Sequence, residues 1–313
     1  MNPTRRTGLL LALATAGISG VAVFLNSYGV KAFGDAATYT TAKNLVAALL
    51  LLGIVAAAPV TGARMTAPTR PRQWLGLGAV ALIGGSIPFL LFFEGLATAT
   101  SVQAALVHKT LVIWVAVLAV LVLRERLGPW HWSAIALLLI GQAGLGGGLL
   151  SGWGRGETMI LVATLMWAVE VVLAKRLLGE LSSWTVALAR MGLGSALLVG
   201  WLVATGDAGA LLSMTADQWA WVLVTGVLLA GYVATWFAAL ARAGAVDVTA
   251  VLVLGAIITA ILSAIVRGTQ LAPQAGWLVV LLAGGALIPW QAWTAPGPVP
   301  AVEGPGRAVQ GVR

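Results

Sequence analysis

The chain has 313 residues, of which 60% are hydrophobic and only 9% charged. Soluble domains carry about 25% charged residues, so this composition marks a multi-pass membrane protein. There is no cysteine, which excludes disulfides, thiol catalysis and Cys-ligated metals, and the only histidines are His108 and His131, too few for a His-rich metal site. The net charge of +8 is carried by short loops, which reads as membrane topology and not as nucleic-acid binding.

In chain order, Arg5 and Arg6 precede an apolar stretch over 8–30. It is longer than the roughly 7–15 residues of a signal peptide's apolar region, so it is expected to be the first membrane helix. A membrane helix needs about 20 mostly apolar residues. Further candidates follow at 37–59, 74–97, 101–123, 131–150, 157–178, 184–205, 218–240, 245–266 and 274–293, ten in all. Pro88, after Gly84-Gly85-Ser86, should loosen the third span, where neighbouring groups satisfy the freed backbone. Gly144 and Gly148 form a GxxxG pair, read as helix packing. The tail 295–313 is rich in Pro and Gly and reads as disordered and cytoplasmic.

Lysine and arginine positions test this count. With the N-terminus in the cytoplasm, Arg5, Arg6, Arg64, Arg70, Arg72, Arg124, Arg126, Lys175, Arg176, Arg242, Arg307 and Arg313 fall inside, and only Lys31, Arg155 and Arg267 outside. That bias puts both termini in the cytoplasm.

The chain also repeats itself. Residues 97–143 align without gaps to 241–287, with 13 of 47 positions identical, among them Val102/Val246, Pro129/Pro273 and Gly141/Gly285. Upstream, Lys43 matches Arg190 at an offset of 147. Two halves result, 1–150 and 151–294, with five spans each. Five is odd, so the second half enters the membrane inverted. Inverted repeats with a site near the midplane are a hallmark of secondary transporters.

Ten spans in two halves, with "GLATATSVQAAL" (95–106), "LAVLVLRERLG" (118–128), "WAVEVVLAKRL" (167–177) and "ALARMGLGSALL" (187–198), resemble the EamA branch of the drug/metabolite transporter superfamily. The exit motif is Leu123, Glu125, Arg126 and Leu127; its second copy, "RGTQL" (267–271), lacks the acidic-basic pair. The resemblance implies a carrier of small metabolites such as amino acids, nucleotide-like compounds or drugs, and leaves the substrate open.

Ionisable groups inside spans are costly, so each is a candidate functional residue. Glu94 and Lys109 lie at similar depth on consecutive spans and are expected to pair. That pair reads equally as a cavity wall or as a lock between two helices. His108, about 100° round the helix from Lys109, reads as a substrate or proton contact or as a cross-helix hydrogen bond. Glu170 has Trp167 and small residues on its face, which reads as a cavity wall suited to a proton or a substrate amine. Lys43 and Arg190 read as anion attractors or gates at mirrored depths, or as side chains snorkelling to the interface. Asn26, with Ser19 and Ala22, forms a small polar stripe that fits a cavity or helix packing.

The expected function is a secondary transporter of a small polar metabolite, an amino acid or organic anion, in the export direction by alternating access. Protons are a candidate coupling ion, the bilayer is the other partner, and the chain acts as monomer or homodimer. No cofactor is called for. An intramembrane lipid-modifying enzyme has little support, since neither GxSxG nor HExxH occurs; a lipid or solute channel is the remaining alternative.

Overall fold

The computed structural model describes residues 3–145, 153–268, 270 and 272–294. Among these, every regular element is helical. The first half supplies α1 (Pro3–Phe33), α2 (Ala36–Ala56), α3 (Pro71–Thr98), α4 (Ser101–Leu123) and α5 (Pro129–Leu145). The second supplies α6 (Arg155–Leu177), α7 (Ser183–Thr205), α8 (Ala216–Leu240), α9 (Ala245–Arg267) and α10 (Ala275–Thr294). Eight are long and apolar enough to cross a membrane. The other two are α5, of 17 residues, and α10, whose apolar part is Ala275–Gln291. The last residues of the expected fifth span, 146–150 with Gly148 among them, lie outside the described residues, as does the tail from 295.

Short polar caps cut the apolar chain into these helices. The Asp35 carboxylate accepts from the Ala37 and Thr38 amides at the start of α2. Thr100 and Gln103 at α4, and Thr215 and Gln218 at α8, cap each other reciprocally. Each cap satisfies amides that lipid could not.

The halves interlock by exchange. α1 packs on α8 and α9 of the second half, and α6 packs on α3 and α4 of the first. In the same way α2 lies on α8, α7 lies on α3, and α5 pairs with α10. The repeat also governs local shape. α4 breaks at Thr110, between Ser101–Lys109 and Leu111–Leu118; α9 breaks between Leu252 and Gly255, the corresponding place at the offset of 144.

Two wide turns pack against each other. Ala81–Ser86 in α3 and Ala189–Leu193 in α7 are π-helical, a form found mostly at functional sites. Pro88 explains the first. It has no N–H to give the Gly84 carbonyl four residues back. Trp167 Nε1 donates to that carbonyl instead, at 3.0 Å, and the Ser86 hydroxyl bonds the Ala81 and Leu82 carbonyls. The wide turns touch through glycine: a Cβ at Gly85 would strike the Arg190 carbonyl and the backbone of Gly194. Gly85→Val should therefore overpack this contact and destabilise the protein by about 1–3 kcal/mol, visible as a lower melting temperature in detergent.

A polar cluster closes one end of the bundle. Arg5 of α1 donates through Nε and Nη2 to Asp247 Oδ2, at 3.2 and 2.9 Å. His131 of α5 lies 3.1 Å from Asp247 Oδ1 through Nε2, while its Nδ1 accepts from the Gly128 amide. An accepting Nδ1 assigns the hydrogen to Nε2, so the neutral ring donates to Asp247. Glu125 of the exit motif accepts from the Ala245 amide, capping α9. Lys175 donates to the Leu240 and Ala243 carbonyls, 2.6 Å each, at the end of α8.

Candidate substrate-binding cavity

A cavity of about 80 Å³ lies where the two halves meet. α1, α2, α3 and α4 of the first half and α6, α7 and α8 of the second all line it. One water needs roughly 10–15 Å³ of such space, so the cavity holds several waters or a small metabolite.

The polar lining starts from Lys43. It projects from α2, is 1% exposed, and donates to Asn26 Oδ1 at 3.2 Å. Its ammonium also sits 3.2 Å from the Phe93 ring centroid, a cation–π contact. Asn26 is held in turn: its amide donates to the Ala22 carbonyl, and the Tyr39 hydroxyl donates to its Oδ1 at 2.6 Å. No carboxylate pairs with Lys43 among the described residues.

Arg190 comes from the π turn of α7 and is 3% exposed. Its Nε lies 3.3 Å from Oε1 of Glu170, which is 1% exposed. The distance makes an ion pair, yet Nε, Nη1 and Oε1 all lack a hydrogen-bond partner, so the contact is electrostatic and not a directed hydrogen bond. The guanidinium also stands over the Phe89 and Phe237 rings. Lys43 Nζ is 5.5 Å and Arg190 Cζ 5.2 Å from the same Phe89 centroid, so both cations address one wall.

His108 faces the cavity, its ring 5.0 Å from Trp167 and 5.5 Å from Phe92, with Nδ1 unpartnered. Lys109 points elsewhere, towards α1, and donates to Ser19 Oγ at 2.8 Å. One residue of helix rotation separates the two directions.

Seven of the eight residues singled out from sequence are buried here. Asn26, Lys43, His108, Trp167, Glu170 and Arg190 line the cavity, and Lys109 lies behind Ser19. Glu94 does not join them. It is exposed, and the expected ion pair with Lys109 is not formed. The reason is helical phase. Phe89, Phe92, Phe93 and Leu96 are buried together, and Glu94 falls between them on the outward face. Equal depth did not imply equal direction. Glu94→Gln should accordingly shift stability by less than about 0.5 kcal/mol and leave uptake unchanged.

One further expectation is corrected. Lys43 and Arg190 do not snorkel to an interface; both are enclosed at the cavity. Glu170, whose partner the spacing of residues does not give, has Arg190 beside it. The aromatic wall of Phe89, Phe92 and Phe93 went unremarked in the sequence, although its three- and four-residue spacing puts the rings on one helix face. Among the described residues no group of three or more His, Asp or Glu could hold a metal ion.

A family model, described as the EamA-like transporter family, matches residues 6–146 and again 154–289. The chain belongs to the EamA-like transporter family. This EamA-like chain is thus a membrane transporter of the drug/metabolite type, built of two family repeats, with a small-molecule substrate and the lipid bilayer as its partners. No curated protein matches it. A solved crystal structure is similar over 88% of this chain and 98% of its own, with a TM-score of 0.66 at 17% identity. That likeness concerns the fold. Within the family's exit motif, Glu125 has a visible task, the cap on α9, and its place in the second copy falls at Thr269, outside the described residues.

Proposed function

We propose that this protein is a secondary transporter for a small carboxylate-bearing metabolite, an amino acid or an organic anion, exported across the cytoplasmic membrane by alternating access. In this reading ten helices span the membrane as two inverted five-helix repeats, 1–150 and 151–294, with both termini cytoplasmic, and the unit is a monomer or a homodimer. Residues Asn26, Lys43, His108, Lys109, Trp167, Glu170 and Arg190 form the substrate and coupling site.

The observation that carries the reading is the charge balance of the cavity. Two buried cations, Lys43 and Arg190, line it with a neighbouring histidine, against one carboxylate, Glu170, among the described residues. Arg190 has two unused donors. A guanidinium fork with free N–H groups matches a carboxylate, and a charge-assisted hydrogen bond is roughly twice as strong as a neutral one. The walls of Phe89, Phe92, Trp167 and Trp236 offer apolar contact, and their faces can accept a substrate ammonium. The exchange of helices between the halves favours a site that either half can expose.

Purified protein screened by thermal shift against L-phenylalanine, L-threonine, lactate and succinate tests this, since a ligand stabilises the state it binds. Hits are followed by uptake of the radiolabelled compound into proteoliposomes. A stabilising carboxylate with saturable uptake is the expected result. Stabilisation by none of the four, or flux that never saturates, overturns it.

A further inference from the structure

The Glu170–Arg190 contact has features a structural ion pair lacks. Both side chains are buried at the cavity, each keeps unpartnered polar atoms, and no directed hydrogen bond joins them. A buried pair kept for stability satisfies its remaining donors and lone pairs, because leaving them unmade is costly. This pair is half made, in a cavity with room for a further group.

We infer that Glu170 is an internal stand-in for the substrate carboxylate, and that the two exchange on Arg190 with uptake of one proton by Glu170. The inference rests on the carboxylate-transport reading above. In the empty cavity Glu170 neutralises Arg190. An incoming carboxylate takes the free Nε and Nη1 donors, which leaves Glu170 as a buried anion whose cation is now engaged by another anion. A proton on a Glu170 oxygen removes that uncompensated charge. The bookkeeping closes: one anion and one proton enter together, no covalent bond changes, and a monocarboxylate crosses without net charge. Release reverses both steps, so substrate and proton travel in the same direction.

The surroundings of Glu170 fit this exchange. Besides Glu170 and Arg190, the titratable groups on the cavity are Lys43 from α2, His108 from α4 and Tyr232 from α8, and none is a carboxylic acid. α3 packs the backbone of Gly84 against the Glu170 side chain, and its cavity-lining side chains, Phe89, Phe92 and Phe93, do not titrate. Glu170 is therefore the one carboxylate on the cavity, among the described residues, able to hold the counted proton.

The test uses proteoliposomes with a trapped pH dye and the member of the four-compound panel that shows saturable uptake, with protein-free vesicles as the control for passive permeation. Wild type is expected to bring in one proton with each carboxylate. In Glu170→Gln the number of protons entering per carboxylate is expected to fall at least 10-fold. A proton-to-substrate ratio unchanged in Glu170→Gln overturns the inference and leaves carboxylate transport standing. Failure of wild type to take up any panel member overturns carboxylate transport itself and the inference with it. A second measurement needs no variant. Purified wild type in weakly buffered detergent should take up one proton per bound carboxylate, and binding without proton uptake overturns the exchange.

Discussion

Arg190→Ala is expected to abolish saturable carboxylate uptake and to lower stability at the same time. The substitution removes two donors that have no protein hydrogen-bond partner and leaves Glu170 buried without its cation. Removing one partner of a buried ion pair costs about 3–5 kcal/mol, because the other charge stays uncompensated. Binding should weaken by about 30-fold or more, in line with the roughly 2–5 kcal/mol lost when one member of a buried charge pair is truncated. The two effects separate in a double variant. Arg190→Met with Glu170→Gln removes both charges, so the melting temperature should return close to wild type while uptake stays absent. Recovery of uptake in the double variant would show that Arg190 acts only as the partner of Glu170.

Lys43→Met should behave in the opposite way on stability. Lys43 holds a buried ammonium against one amide oxygen and an aromatic face, with no carboxylate partner among the described residues. An apolar chain of similar length relieves the cost of that burial, and such replacements are often neutral or stabilising by about 1–4 kcal/mol. The melting temperature should therefore stay level or rise. Carboxylate uptake should fall by about 100-fold, since a charge-assisted contact of roughly 3 kcal/mol is lost. A stability gain paired with a transport loss separates a binding lysine from a structural one. If uptake survives in Lys43→Met, Lys43 has no part in substrate recognition.

Much of the fold was legible because lipid imposes a simple rule: apolar runs of membrane length must be helical. The repeat was legible too, because 97–143 and 241–287 keep a common register, and the shared break in α4 and α9 is its three-dimensional counterpart. The site was legible in its membership more than in its pairings. Lys43 and Arg190 emerged from the repeat and converge on one cavity. The Glu94–Lys109 pairing failed because depth along a helix was reckoned without direction around it. The same reckoning fits the pair that does form. Glu170 and Arg190 lie equally far from Glu180 in the turn between α6 and α7, and both point inward. Residue spacing alone does not choose between the two pairs; the neighbours that share each helical face do, as the phenylalanines of α3 show.

The cluster around Asp247 carries a consequence for kinetics. At that end, Arg5 of α1, Glu125 in the turn after α4, His131 of α5 and Lys175 of α6 bond to the end of α8 and the start of α9 through charged or capping hydrogen bonds. At the other end, α4 and α9 meet through the Ser101 and Ser263 hydroxyls at 3.5 Å, and Arg267 reaches Ser27 and Tyr28 of α1. In the proposed cycle the two ends open in turn, so the two half-reactions are energetically unequal. On that cycle, parting the Asp247 end is expected to be the slower of the two openings. A latch at one end of the bundle would then set turnover, and the two faces are expected to present different half-saturation concentrations to the same solute.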